Sequence, residues 1–144
     1  MLAIAILAIG ASAVAAHPRV ISERQALMKR SGEQAKVGSQ MVRGDIAFDL
    51  AKTHAIFAAF AEKAAKLPSL FPDDSKTGET RARAAIWERP DEWKAAIDRF
   101  AADTKEADAQ TTDLETFKGT FRQVGRNCHS CHETFRGPPL HHHR

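Results

Sequence analysis

A chain of 144 residues is long enough for one domain. Its formal net charge is +3, and Lys and Arg are interleaved with Asp and Glu, so it lacks the basic block that a nucleic-acid partner requires. A solvated charged surface is the reading of that balance, with at most a weak preference for acidic partners.

Residues 1–16 open the chain as an apolar run without charge, ending in small residues. The run is too short for a comfortable membrane span. Ala13-Val14-Ala15 and Val14-Ala15-Ala16 have the form of signal-peptidase sites. No Lys or Arg precedes the run, a departure from the usual signal pattern that keeps an uncleaved anchor as the alternative. The reading is a signal peptide at 1–16 and a single domain at 17–144, with no stable membrane insertion after cleavage.

Four stretches then show helical periodicity, and none shows strand alternation. The first runs from about Val20 to Val42, with Ser22 and Gln25 in the form of a capping box and a stripe through Leu27, Met28, Ser31, Ala35, Gly38, Met41 and Val42. Gly32 and Gly38 weaken helix propensity but permit close approach. Gly44 ends the segment. The second runs from about Asp45 to Lys66, its stripe through Ile46, Leu50, Phe57, Phe60, Ala61 and Ala64, and stops at Leu67-Pro68. His54 falls on or near that stripe and reads as a packed or hydrogen-bonded histidine.

A long connection from Leu67 to about Glu88 begins with a proline-braced corner, Leu67-Pro68-Ser69-Leu70-Phe71-Pro72, and ends in a turn that presses Ile86 and Trp87 onto the bundle. The third helix starts at Pro90, with Trp93, Ile97, Phe100, Thr104 and Ala107 inward. The fourth starts near Thr112 or Asp113. Its seam is Leu114, Phe117, Phe121, Val124, Cys128, Cys131 and Phe135, and Gly137-Pro138-Pro139 ends it. A tail, 137–144, with His141-His142-His143 receives no function. Four amphipathic helices with two short links and one long one predict an all-α, antiparallel four-helix bundle, an architecture that places cofactors between facing helices, here the first and last if the seam of the fourth helix carries one.

The chemistry is concentrated at Cys128-His129-Ser130-Cys131-His132, which contains both cysteines of the chain. Cys-x-x-Cys-His is the pattern of covalent c-type haem attachment. Each thiol adds to one vinyl group, and the next imidazole lies under the iron. On a helix, positions 128, 131 and 132 project from one face, whereas His129 points elsewhere. A dithiol redox pair wants a βαβ context that is missing, and a zinc site wants a fourth ligand. Nothing outside the motif has the form of an acid/base or nucleophile constellation, so no catalytic residue is assigned and the reading is not an enzyme. An adventitious peroxidase activity is the remaining enzymatic alternative.

The order Arg24-Gln25-Ala26-Leu27-Met28-Lys29, proline-rich corner, Ile86-Trp87, then Cys128-x-x-Cys131-His132 with Phe135-Arg136, resembles the class II c-type cytochromes along nearly the whole mature chain. Within that class it looks closer to the low-spin cytochromes c of the 556 type than to the five-coordinate cytochromes c′. The resemblance implies one haem c, covalent through Cys128 and Cys131, with His132 and Met28 as axial iron ligands. From the residues alone, Met28 as ligand and Met28 as packing stand level; the resemblance favours the ligand. It also implies that Arg24 and Gln25 lie near the haem edge, with Arg24 the better propionate partner, and that Arg136 lies on the proximal side. The function implied is periplasmic electron transfer with redox partner proteins, with a homodimer through the first two helices as an available assembly. The alternative is a five-coordinate cytochrome c′ binding NO or CO.

Overall fold

The computed structural model describes residues 16–140. The expected signal segment, apart from Ala16, and the histidine tail lie outside the described residues. The elements are α1 (Ala16–Arg43), α2 (Leu50–Lys66), two 3₁₀ turns (Leu67–Leu70 and Asp73–Ser75), a one-turn α3 (Ala85–Glu88), α4 (Pro90–Gln110) and α5 (Leu114–Phe135). Packing runs α1 on α2, α2 on α4, α4 on α5 and α5 back on α1, which closes a four-helix bundle. No helix among the described residues is long and apolar enough to cross a membrane.

Two helix starts differ from the sequence expectation. Helix α1 is already helical at Ala16, so Ser22 is an exposed position inside the helix and not its cap. Packing of the Ile21 and Leu27 face, both buried, outweighs the local capping signal. Helix α2 begins at Leu50 instead of Asp45, because Asp49 caps it: its carboxylate accepts the Lys52 N–H at 3.1 Å. Gly44 does end α1, at φ +77°, with the Asp45 N–H donating to the Gln40 carbonyl at 2.9 Å.

The inward stripe of α2 is rotated from the expected one. Thr53, Ile56, Phe57, Phe60, Lys63 and Ala64 are buried, while Leu50 and Ala61 are exposed. His54 therefore faces outward, where Nδ1 meets Asp108 Oδ1 of α4 at 2.6 Å. The main core draws on all four long helices: Met41, Ile56, Phe57, Phe60, Phe100, Phe117 and Val124 among others. Phe117 stands edge-on to Phe57 at 5.9 Å and tilted to Phe121 at 5.1 Å. Gly38 serves this core: a Cβ there would lie 2.5 Å from the Phe121 ring. Its small size admits a phenyl ring.

The second cluster, Leu27, Leu67 and Ile97, lies under the long connection with Met28, Leu70, Phe71 and Trp93 packed on it. The connection is tied down at both ends. Trp87 Nε1 donates to the Phe71 carbonyl at 2.9 Å, and Trp93 links Phe71 to Phe135 through ring contacts of 4.8 and 5.1 Å. An isolated antiparallel bridge joins Ala82 to Arg136, and the Arg83 N–H donates to the Phe135 carbonyl at 2.9 Å. The end of α5 is thereby clamped to the connection.

Candidate functional site

The seam of α5 places the thiols and the imidazole. Asp113 caps the helix and Thr116 completes a reciprocal capping box, so the register of the whole helix is set from its first turn. Phe117, Val124 and Phe135 of that seam are buried, and Cys128, Cys131 and His132 are half-buried on the same side. Both cysteines are free thiols. Just before the motif, buried Asn127 donates to Asp103 Oδ2 of α4 at 2.6 Å, which holds α5 at this height in the bundle. His129 points outward and pairs with Glu133 at 3.4 Å.

These side chains open into a cavity of about 450 Å³, within the usual range of cofactor sites. Its wall brings together every residue assigned from the sequence: Arg24, Gln25 and Met28 from α1, and Cys128, Cys131, His132 and Arg136 at the end of α5. Phe60, Leu67, Phe71, Ile86, Trp93 and Phe135 supply its apolar surface. Gly32 lies on the same wall with nothing within 4 Å of the position a Cβ would take, so α1 leaves room there.

The electrostatics favour soft and neutral donors. Burial pushes the His132 imidazole down to about 4, aided by the charges of Arg136, Lys63, Arg81 and His129. The ring is neutral at physiological pH, with a lone pair free to bind a metal. Burial raises the Cys131 thiol, an effect that Lys63 partly opposes. Among the described residues no group of three or more His, Cys, Asp or Glu is arranged to hold a metal ion by itself.

Arg24 has a structural task that its sequence context did not suggest. It is 4% exposed. Its guanidinium donates to the Leu70 carbonyl (3.0 Å), Ser75 Oγ (2.9 Å), the Ser75 carbonyl (3.0 Å) and Thr80 Oγ1 (2.8 Å), and lies 4.5 Å from the Phe71 ring centroid. It fastens α1 to the long connection. Gln25 does the same at the rim, donating to the Glu79 carbonyl at 2.8 Å. Arg136 is exposed at the cavity mouth.

Two cationic cavity residues were not anticipated. Arg81 comes from the irregular connection and is held by the Gly137 and Pro138 carbonyls at 3.0 Å each; no periodicity could have placed it. Lys63 could have been found, because 56, 60, 63 and 67 continue the buried stripe of α2 at spacings of four, three and four.

A helical bundle with two thiols, an imidazole and a thioether around one apolar cavity defines a bundle protein with a cofactor-sized site between its helices. The family model described as Cytochrome C′ matches residues 19–136. A cytochrome c′ of Rhodopseudomonas palustris is 36% identical over 129 residues, 89% of this chain and 88% of that protein. A cytochrome c-556 of the same organism is 31% identical over 135 residues, 90% and 91% of the two chains. The solved cytochrome c′ of R. palustris superposes with a TM-score of 0.80 at 37% identity, over 84% of this chain and 98% of the other. The chain belongs to the cytochrome c′ family.

Proposed function

We propose that this protein is an exported, periplasmic one-electron carrier whose haem c is tethered by Cys128 and Cys131 and bound through iron by His132 and Met28. The observation that carries the reading is that Met28 of α1 lines the same cavity as the Cys-x-x-Cys-His face of α5. The bound haem would supply a one-electron Fe(III)/Fe(II) couple.

The protein's own residues do the rest. Cys128 and Cys131 would form the thioethers. The neutral imidazole of His132 would bind one side of the iron, and the unbranched thioether of Met28 would reach the other from a half-buried position. Methionine/histidine ligation raises a haem reduction potential relative to harder ligand sets. Phe71, Ile86 and Trp93 would keep water from the iron, and Gln25, Arg81 and Arg136 stand at the rim where propionates need donors. Arg24 would contribute there mainly by holding the wall, since four of its N–H groups already have acceptors. Redox proteins would meet the rim in small, transient contacts. A homodimer through α1 and α2 belongs to the same reading and is checked by sedimentation.

A second reading, an open iron site for NO or CO, is favoured by the 36% identity to a protein named cytochrome c′. Optical spectra of the haem-loaded protein in both oxidation states separate the two. Six-coordinate, low-spin spectra that become high-spin and CO-reactive in Met28→Ala support the carrier. A five-coordinate, high-spin parent overturns it in favour of the gas-binding protein.

A further inference from the structure

Lys63 is 6% exposed, on the inward face of α2, and lines the cavity with Met28, Cys128, Cys131 and His132. A lysine at a buried position ordinarily has a carboxylate or several carbonyls around its ammonium, because a charge held away from water is unfavourable without a partner. Among the described residues this one has no ion pair and no hydrogen-bond acceptor. What it has are two phenyl faces, Phe100 at 4.5 Å and Phe60 at 5.2 Å from ring centroid to Nζ. Cation–π contact is weak beside a charge pair, and Nζ is not among the fully buried unpartnered polar atoms, so the ammonium tip opens toward the cavity. The methylene stem would satisfy the bundle equally well as a Leu or Met, so the charged head calls for a function of its own.

We propose that Lys63 is a positioning charge that raises the reduction potential of the centre held in this cavity, by favouring the electron-rich state. The inference rests on the haem reading above. A haem iron loses one unit of positive charge when an electron arrives from a reduced partner protein. A fixed cation facing the same cavity repels the oxidised state more than the reduced one, and a low-dielectric, aromatic surround lets that difference survive. Cys128 and Cys131 would not neutralise Lys63, since they would be consumed as thioethers. The aromatic faces hold the ammonium in place without cancelling its charge, as a carboxylate partner would.

The test compares haem-loaded parent, Lys63→Met, Lys63→Gln and Lys63→Arg. Mass spectrometry first establishes that each carries one covalent haem, and optical spectra establish that the axial ligands are unchanged. Potentiometric titration then reads the midpoint. The expected result is a shift to lower potential in both neutral variants and retention of most of the parent value in Lys63→Arg. Lys63→Met should fold at least as well as the parent, because an apolar replacement of a poorly paired buried charge is commonly neutral or stabilising. Unchanged midpoints in fully loaded Lys63→Met and Lys63→Gln would overturn the proposal while leaving the haem reading intact. A changed ligand spectrum in those variants would also overturn it, by making Lys63 a ligand or ligand-positioning group. Failure of the parent itself to carry covalent haem would instead sink the underlying reading.

Discussion

His132 and Arg24 show how much one side chain can carry. An imidazole ordinarily titrates near 6.5, and in the unfolded chain His132 should do so. In the fold it is pushed down to about 4, first by burial and then by neighbouring cations. The unfolded state therefore takes the proton first as pH falls. Haem-free protein should keep this contribution above pH 6.5 and lose it progressively toward pH 4. Thermal melts across that window should show a falling midpoint, and His132→Gln should flatten the slope; an equal slope in the variant would assign it to other groups. Arg24→Ala should cost about 3 kcal/mol in urea unfolding, because it strands acceptors around buried Ser75. Arg24→Lys should rescue little, since one ammonium cannot reproduce a planar fork that reaches Leu70, Ser75 and Thr80 together.

The helices divide into surfaces that pack on protein and surfaces that face the cavity, and two glycines of α1 report the difference. Adding a methyl group to Gly38 would drive it to 2.5 Å from the Phe121 ring, which leans on Phe117. Gly38→Ala should lose about 1–2 kcal/mol despite its better helix propensity. Gly32→Ala meets no protein atom within 4 Å. In haem-free protein it should gain up to about 1 kcal/mol, and the gain should shrink or reverse once the cavity is filled. Paired melts of the two variants, with and without haem, read this directly. At the start of α5, Asp113→Ala removes a cap remote from the cavity. It should lower the melting midpoint and leave the haem spectrum unchanged.

At the scale of the molecule, a cavity of about 450 Å³ opens between the main core and the cluster under the long connection. Native domains are stable by only about 5–15 kcal/mol, so the contacts a cofactor would make there matter to the whole fold. Cys128→Ala/Cys131→Ala protein, which cannot be tethered, should retain its helical far-UV signal. It should melt less cooperatively and bind a hydrophobic dye at the cavity. A sharp melt at the parent midpoint, with no dye binding, would show that the bundle is complete without its cofactor.

The amino-acid order alone carried the number of long helices, the stops at Gly44, Lys66 and Gly137, and the motif whose thiols and imidazole share one helix face. All are local properties: 3.6-residue periodicity, the backbone limits of Gly and Pro, and covalent chemistry at fixed spacing. What only tertiary structure decided were the facing of α2, which turned His54 out and Lys63 in, and the closure of α1 onto α5 that puts Met28 and His132 around one cavity. The same holds for Arg24, whose acceptors lie 46 to 56 residues away in the long connection. Periodicity tells which residues share a stripe, but a stripe broad enough to touch two neighbouring helices has no preferred centre until those neighbours are packed against it.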